Sequence, residues 1–278
     1  MNRALRIGLL HLSPGQGALE ANCRAVETAL DLAADAGAAW VVTPELALTG
    51  YDFVGLLGTD WITSAANDPW VGRLHRRAAR LGLTLFLAHP ERDADSGRCH
   101  NAVFVLGSDG ELLGTHRKIN TLPGIEGWSS KGAGAMPVYV APLHVGLLVC
   151  ADAYRPDIAL TLRERGAQIL LSPAAWPPEP HGPEDCWASR TAETGLPLFV
   201  CNRTGEESSL SFAEGESAVF FAGARQLSYR EARSALLVID WSFEEGRVLR
   251  HTVHPLGLAP ALTPALTPAL TGARPEAP

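Results

Sequence analysis

The chain has 278 residues, 30 acidic and 23 basic side chains, a formal net charge of −7 and a hydrophobic fraction of 46%. This balance is typical of a folded globular protein and excludes a disordered chain, and the acidic excess argues against nucleic acid as a partner. No apolar run approaches the ~20 residues of a membrane-spanning helix, and the N-terminus lacks a signal-cleavage pattern, so we expect a cytoplasmic protein without a membrane partner.

Cysteine and lysine usage narrows the possible chemistry. The five cysteines form an odd set without CxxC or Cys/His spacing, which predicts free thiols in a reducing compartment and neither a disulfide framework nor a zinc site. Only two basic residues are lysines, Lys118 and Lys131, so a site that needs a compact ammonium has two candidates.

Hydrophobic periodicity predicts alternating strands and helices in the first half of the chain and paired strands later. In chain order we predict a strand at 5–12, a helix at 18–36, a strand at 38–42, a helix at 69–81, a strand at 83–88, a hairpin of 101–106 with 111–116, strands at 137–140 and 144–149, a helix at 158–165, a strand at 168–172, a helix at 184–193, a strand at 198–201 and several short strands within 209–240. This mixture predicts an α/β fold in which two sheets pack face to face with helices outside, a four-layer α-β-β-α sandwich.

The C-terminal end differs from the rest. Residues 261–271 read ALTPALTPALT, and a proline every four residues prevents a regular helix. We therefore predict one catalytic domain over 1–258 and a Pro/Ala-rich tail over 259–278.

Three reactive side chains each follow a predicted strand. Glu45 comes just after the strand ending at 42, Lys118 after the strand ending at 116, and Cys150 directly after the strand 144–149. In α/β folds, ligand sites gather at the carboxyl ends of strands. Each residue alone is more often a surface charge or a packed thiol, but together they suit one chemistry.

That chemistry is nucleophilic attack by a thiolate. A carboxylate can take the thiol proton, an ammonium can stabilise the negative oxygen of a tetrahedral intermediate, and the backbone N–H of Ala151 can complete the oxyanion site. His144 lies near the start of the same strand as Cys150, too far away for a Cys–His pair, whereas His11, His89 and His116 stay open as partners.

Six segments in the same order resemble motifs of the carbon–nitrogen hydrolase (nitrilase) superfamily. They are 43–51 (TPELALTGY), 116–120 (HRKIN), 150–156 (CADAYRP), 165–173 (RGAQILLSP), 202–205 (NRTG) and 215–217 (GES). The resemblance implies Glu45 as general base, Lys118 as stabiliser of the oxyanion and Cys150 as nucleophile. It also implies that Glu126 is the second glutamate, which orients the lysine and helps to position the substrate.

The chain departs from the superfamily pattern at three places. Asp157 follows Pro156 where a glutamate is usual, and Thr194 stands where the family's helix ends in asparagine. Nitrile-cleaving members typically carry Trp-Glu after the cysteine, whereas this chain has Ala151-Asp152, which favours amide cleavage.

The resemblance implies hydrolysis of a small linear amide or N-carbamoyl compound by water through a thioester, with release of ammonia or an amine and without a metal or organic cofactor. Two alternatives stay open: a nitrilase that converts a nitrile to an acid and ammonia, and a non-catalytic binding or assembly member of the family. The resemblance further implies a homodimer or larger homo-oligomer.

The pocket walls are predicted from sequence position alone. Tyr51, Trp128 and Trp176 lie close to motif residues on predicted loops, so we expect them, with Ala151, to bind substrate. The loop 176–178 is the best candidate for setting specificity, because it follows a strand whose end should face Cys150.

Overall fold

The computed structural model describes residues 4–178 and 185–257, which form thirteen strands in two sheets and five α-helices. The strands are β1 (Leu5–His11), β2 (Trp40–Val42), β3 (Thr84–Arg92), β4 (Cys99–Leu106), β5 (Leu112–Arg117), β6 (Val138–Val140), β7 (Leu143–Leu147), β8 (Ile169–Ala174), β9 (Leu198–Asn202), β10 (Ser217–Phe221), β11 (Ala224–Tyr229), β12 (Ala235–Ser242) and β13 (Arg247–Pro255). The helices are α1 (Leu19–Asp35), α2 (Val54–Leu57), α3 (Pro69–Arg80), α4 (Pro156–Glu164) and α5 (Cys186–Thr194), with a short 3₁₀ helix at Cys150–Tyr154.

Each sheet has a parallel centre with antiparallel strands at its edges. The seven-stranded sheet has the order β13-β12-β1-β2-β3-β4-β5, with β1, β2 and β3 parallel. The six-stranded sheet has the order β11-β10-β9-β8-β7-β6, with β7, β8 and β9 parallel. The carboxyl ends of the parallel strands therefore gather at one edge of each sheet, where side chains that follow a strand can meet.

Alternation along the strands builds the layers. In β1, Ile7 and Leu9 point into the core between the two sheets, whereas Leu10 points outward into the core shared with α1 and α3. In β2, Trp40 faces the other sheet and Val41 faces the helices. Helices α4 and α5 contact the outer face of the six-stranded sheet. The predicted four-layer α-β-β-α sandwich is thus confirmed.

Differences from the predicted elements have local causes. Helix α4 begins at Pro156 rather than 158, because proline is well suited to the first turn of a helix. Strand β7 ends at Leu147 rather than at 149, and Cys150 opens the 3₁₀ helix three residues later. Strand β13 was not predicted, because this edge strand is largely exposed on both faces and shows no apolar alternation.

Some expectations fall outside the described residues. The proposed domain boundary at 258 and the tail 259–278 lie beyond residue 257, the last residue that the structure describes. Within the described ranges, none of the helices combines the length and apolar character needed to cross a bilayer.

Candidate active site

The three predicted residues meet at the carboxyl edges of the two sheets. Glu45 follows β2 and Lys118 follows β5, so both belong to the seven-stranded sheet. Cys150 follows β7 of the six-stranded sheet. Glu45 and Lys118 are 0% exposed and Cys150 is 3% exposed. The fold therefore brings an acid, an amine and a thiol from separate chain segments into one buried cluster.

Lys118 forms ion pairs with two carboxylates. Its Nζ donates to Oε1 of Glu45 at 2.7 Å and to Oε1 of Glu126 at 2.5 Å. Burying an ammonium is unfavourable unless opposite charges and hydrogen bonds compensate it, and here two anions do so. The structure thus places Glu126, eight residues after the lysine, against the same Nζ as Glu45.

The Glu45 carboxylate is held by donors on both oxygens. Besides Lys118, Oε1 accepts from Nδ2 of Asn101 at 2.8 Å, and Oε2 accepts from the backbone N–H of Ala175 at 3.0 Å. Cys150 lies close enough to this carboxylate for the Glu45 charge to raise the pKa of its thiol. Glu45 is therefore oriented by fixed donors and lies near a group whose proton it could accept.

Glu126 has a different set of partners. Its Oε1 accepts from the Tyr51 hydroxyl at 2.8 Å as well as from Lys118, and its Oε2 accepts from the backbone N–H of Leu122 at 2.8 Å. Donors thus hold both oxygens, and the side chain is 1% exposed. These contacts fix the carboxylate beside the buried lysine, where it can act as a counter-ion.

The turn that carries Cys150 is held in an unusual backbone conformation. Cys150 has a φ of 48°, in the left-handed region that residues with a Cβ rarely adopt. The Asp152 carboxylate accepts backbone N–H groups of Val149 at 3.0 Å, Ile119 at 3.0 Å and Asn120 at 2.7 Å. Asp152 therefore fixes this turn and ties it to the segment that follows Lys118.

Burial and charge shift the titration of the cluster. Burial raises the pKa of Glu45, although the Lys118 charge opposes this shift. Burial and then the Glu45 charge raise the pKa of Cys150 well above its usual value. Burial alone would lower the pKa of Lys118, but the charges around it outweigh burial and raise it. The resting site thus pairs a lysine ammonium with a neutral thiol beside a carboxylate whose proton affinity is increased.

Cys150 lies at a pocket with a volume of about 520 Å³. The lining residues are Tyr51, Leu122, Pro123, Ile125, Cys150, Ala151, Tyr154, Ala175, Trp176, Pro177, Ser209 and Leu210. Of the residues expected to bind substrate, Tyr51, Ala151 and Trp176 are therefore in this wall. Trp128 is not among the lining residues, since its ring packs against Phe53 at 5.1 Å between centroids.

Each histidine left open as a thiol partner has another contact. His116 Nε2 lies 3.1 Å from Oδ2 of Asp152, and His89 Nε2 lies 3.3 Å from Oδ2 of Asp68. His11 Nδ1 lies 2.9 Å from the Ser217 hydroxyl. Among the residues that the structure describes, no group of three or more His, Cys, Asp or Glu side chains is arranged to hold a metal ion.

Sequence reasoning missed two contributors to the cluster. Asn101 contacts Glu45, and its only sequence signal is an amide directly before the apolar run AVFVL. Glu207 is the second, because both of its oxygens accept the backbone N–H groups of the Tyr51-Asp52 segment, at 2.7 and 2.8 Å. Glu207 pairs with the buried Arg203, and its position two residues after the NRTG segment was the available signal.

Comparison with known proteins assigns the family. Residues 6–234 match the family model described as carbon-nitrogen hydrolase, which spans most of the chain. The chain therefore belongs to the carbon–nitrogen hydrolase family.

Individual relatives show how widely this family varies. The chain is 27% identical to a glutamine-dependent NAD(+) synthetase of Thermotoga maritima, over 87% of the chain and 43% of the relative. It is 31% identical to the enzyme of the same name from Rhodobacter capsulatus, over 79% and 40%. The chain thus spans about two fifths of the length of these two relatives. A citrullinase of Francisella tularensis is 27% identical over 74% of the chain and 76% of that relative.

A solved structure shares the fold. A mutant of the amidase from Nesterenkonia sp. AN1, described with the acetamide moiety of fluoroacetamide added covalently at its active-site cysteine, superposes with a TM-score of 0.77. Identity is 23%, and the match covers 88% of this chain and 93% of that chain. This likeness shows that the two chains share the sandwich architecture.

Proposed function

We propose that the chain hydrolyses the C–N bond of a small linear amide or N-carbamoyl compound through a thioester on Cys150, releasing ammonia or an amine. One observation carries this proposal: the Glu45 carboxylate accepts from the Lys118 ammonium at 2.7 Å and from the backbone N–H of Ala175 at 3.0 Å, and Ala175 lines the same pocket as Cys150. The carboxylate can thus take the thiol proton while the ammonium stays beside the reacting groups.

The first half of the reaction forms the thioester. Glu45 takes the proton from Sγ of Cys150, the thiolate attacks the carbonyl carbon, and the carbonyl electron pair moves onto oxygen. The ammonium of Lys118 and the N–H of Ala151 stabilise this oxyanion. Glu45 then returns its proton to the leaving nitrogen as the C–N bond breaks, which releases ammonia or the amine.

The second half regenerates the thiol. Glu45 takes a proton from water, the resulting hydroxide attacks the thioester carbon, and the C–S bond breaks. The proton held by Glu45 returns to Sγ, and the acid product leaves. Water supplies the oxygen of the acid, so the balance needs no further reactant.

Glu126 makes this proton cycle compatible with a buried lysine. When Glu45 is protonated, its negative charge no longer compensates Lys118. Glu126 takes no part in this proton transfer, because Tyr51, Leu122 and Lys118 already donate to its oxygens. The lysine therefore keeps one anionic partner throughout, and Glu126 acts as its counter-ion while Glu45 acts as the base.

Ammonia release from a panel of amides, N-carbamoyl compounds and nitriles tests the proposal. We expect turnover of amides or carbamoyl compounds, a thioester adduct on Cys150 in intact-mass spectra, and no turnover by Cys150→Ala. Cys99→Ala is the matched control, since Cys99 is a free thiol that does not line the pocket, and it should keep full activity. Activity confined to nitriles, or persisting in Cys150→Ala, would contradict the proposal.

We also propose that the catalytic domain spans 1–258 and that the protein works in the cytoplasm as a homodimer or larger homo-oligomer. All five cysteines are free, which supports a reducing compartment. Sedimentation of the purified chain tests the assembly, and a monomer at micromolar concentration would contradict it.

A further inference from the structure

We propose that the substrate carries an uncharged, apolar group beyond its reacting carbonyl, and that the pocket selects amides by burying this group. The inference rests on the proposed amide hydrolysis and goes further, because it names the class of substrate. Three observations support it. The pocket walls are mainly apolar, the aromatic wall is held in place, and the polar side chains of the lining already have hydrogen-bond partners.

Carbon atoms dominate the walls. One side is formed by Leu122, Pro123 and Ile125, on the loop that follows Lys118, and the other by Ala175, Trp176 and Pro177, which follow β8. Tyr154 and Leu210 complete the rim. Removing apolar surface from water contributes about 25 cal/mol per Å², so these walls favour the binding of an alkyl or aromatic group. The same walls disfavour the binding of a charged group, which would lose its hydration.

The aromatic wall is preorganised. Asn202 holds the Trp176 backbone at both polar groups, since its Oδ1 accepts from the N–H at 2.9 Å and its Nδ2 donates to the carbonyl at 2.9 Å. The Trp176 ring packs edge-on against Trp187 at 5.3 Å and Tyr154 at 4.7 Å. A ring fixed in this way binds an apolar group without first losing conformational freedom.

The polar side chains of the lining are already engaged. The Tyr51 hydroxyl donates to Glu126, and the Ser209 hydroxyl donates to Oδ2 of Asp52 at 2.7 Å. The described lining holds no lysine, arginine, aspartate or glutamate. A substrate carboxylate would therefore lose water without gaining a cationic partner from these lining residues.

The volume sets the size of the group. At about 520 Å³ the pocket lies within the range of small-molecule sites and is larger than the amide function alone requires. Branched aliphatic and arylalkyl amides match both the volume and the walls. Glutamine carries an ammonium and a carboxylate beyond its amide, and it is expected to be a poor substrate.

Two substrates of equal shape test the inference. In 4-methylpentanamide an isopropyl group replaces the carboxylate of succinamate, so the pair differs mainly in charge. We expect kcat/KM for 4-methylpentanamide to exceed that for succinamate by at least about 100-fold, the penalty of burying an unpaired charge. The affinities of the two compounds for Cys150→Ala, measured by calorimetry, do not depend on turnover and should show the same preference.

A variant pair then assigns the preference to the wall. Leu210 is only partly buried, so a longer side chain fits there with its charged end near solvent. Leu210→Arg should raise kcat/KM for succinamate relative to 4-methylpentanamide by about 10-fold or more, because it supplies a cation. Leu210→Gln, which is polar but uncharged, should not.

The outcomes separate this inference from the proposed function. Faster hydrolysis of succinamate or glutamine than of 4-methylpentanamide, dependent on Cys150, would overturn the inference and leave the proposed function intact. Absence of any Cys150-dependent amide hydrolysis would overturn the proposed function. In that case, binding to Cys150→Ala still decides the inference, and equal affinity for both compounds would overturn it.

Discussion

Oδ2 of Asp152 lies 3.1 Å from Nε2 of His116, and this contact links the two sheets beside the proposed nucleophile. His116 is in β5 of the seven-stranded sheet, whereas Asp152 lies in the 3₁₀ helix that follows β7 of the other sheet. Both side chains are almost completely buried. Because Lys118 follows β5 and Cys150 opens the 3₁₀ helix, this contact helps to set the distance between lysine and thiol.

Asp152→Asn should damage both activity and stability. The carboxylate accepts three backbone N–H groups and faces His116, and an amide would turn a donor toward one of these partners. We expect the free energy of unfolding to fall by about 2 kcal/mol, the cost of an unsatisfied buried group, and kcat to fall by at least about 10-fold. Urea denaturation and ammonia release measure the two effects.

Asp157→Asn is the matched control for this substitution. Asp157 lies five residues further on, is 60% exposed and pairs with the exposed Arg155. Such surface pairs contribute little to stability, so neither the unfolding midpoint nor kcat should change measurably. Equal effects of the two substitutions would contradict the role assigned to Asp152.

Glu126→Gln should slow the reaction more than it weakens substrate binding. The variant keeps the shape of the side chain but removes the charge that compensates Lys118 when Glu45 holds a proton. We expect kcat to fall by about 100-fold or more, with a smaller change in KM. Steady-state kinetics measure this split, and Glu206→Gln, on an exposed side chain, is the control. A variant that keeps more than half of the wild-type kcat would refute the counter-ion role.

Tyr51→Phe should separate hydrogen bonding from packing. The substitution removes the hydroxyl that donates to Glu126 at 2.8 Å and keeps the ring that packs edge-on against Phe212. A hydrogen bond to a charged group is worth about 1.5 to 3 kcal/mol. We therefore expect kcat/KM to fall by about 10-fold to 100-fold and the free energy of unfolding to fall by about 2 kcal/mol, as steady-state kinetics and urea denaturation measure.

Trp128→Phe is the companion variant. Trp128 lies outside the lining residues, and its Nε1 has no hydrogen-bond partner. A smaller aromatic ring should therefore leave kcat/KM within about 3-fold of wild type while the melting temperature falls, since core truncations mainly cost packing energy. A selective loss of activity with unchanged stability would instead place Trp128 at the substrate.

His11 predicts a pH dependence of stability. Burial lowers the pKa of His11 to about 4, from 6.5. The unfolded chain therefore takes up this proton first as the pH falls, so the contribution of His11 is complete above pH 6.5 and is lost toward pH 4. The shift corresponds to about 3 kcal/mol at most. Denaturation of wild type and His11→Gln across this window should show a flatter profile for the variant, and the exposed His251→Gln should match wild type.

The proposed reactive residues could be found from the sequence because each follows an apolar strand in a recognisable segment. Asn101 could not, because its importance depends on β4 lying beside Lys118 and opposite Glu45, which is a property of the folded sheet. Trp128, by contrast, was expected in the pocket wall from its sequence position but lies outside the lining. Nearness to Glu126 in sequence does not determine which way a ring points, and this ring points toward Phe53.

The fold class could also be predicted, because buried strands and amphipathic helices carry strong periodic signals. Strand β13 carried no such signal. Its position is set by antiparallel backbone pairing with β12, from Ala235 opposite Pro255 to Ser242 opposite Arg247, and most of its side chains contact solvent. Backbone hydrogen bonding leaves little trace in side-chain composition, so an edge strand of this kind appears only in the folded structure.

Because the proposed reactive groups are divided between two sheets, their spacing depends on how the two sheets pack against each other. A small slip of one sheet over the other would separate the Glu45 carboxylate from the Cys150 sulfur while every strand kept its own hydrogen bonds. Heating should therefore abolish ammonia release before the circular dichroism of the strands changes. Side chains deep between the sheets, such as Leu9 and Leu171, should then affect turnover although neither lines the pocket.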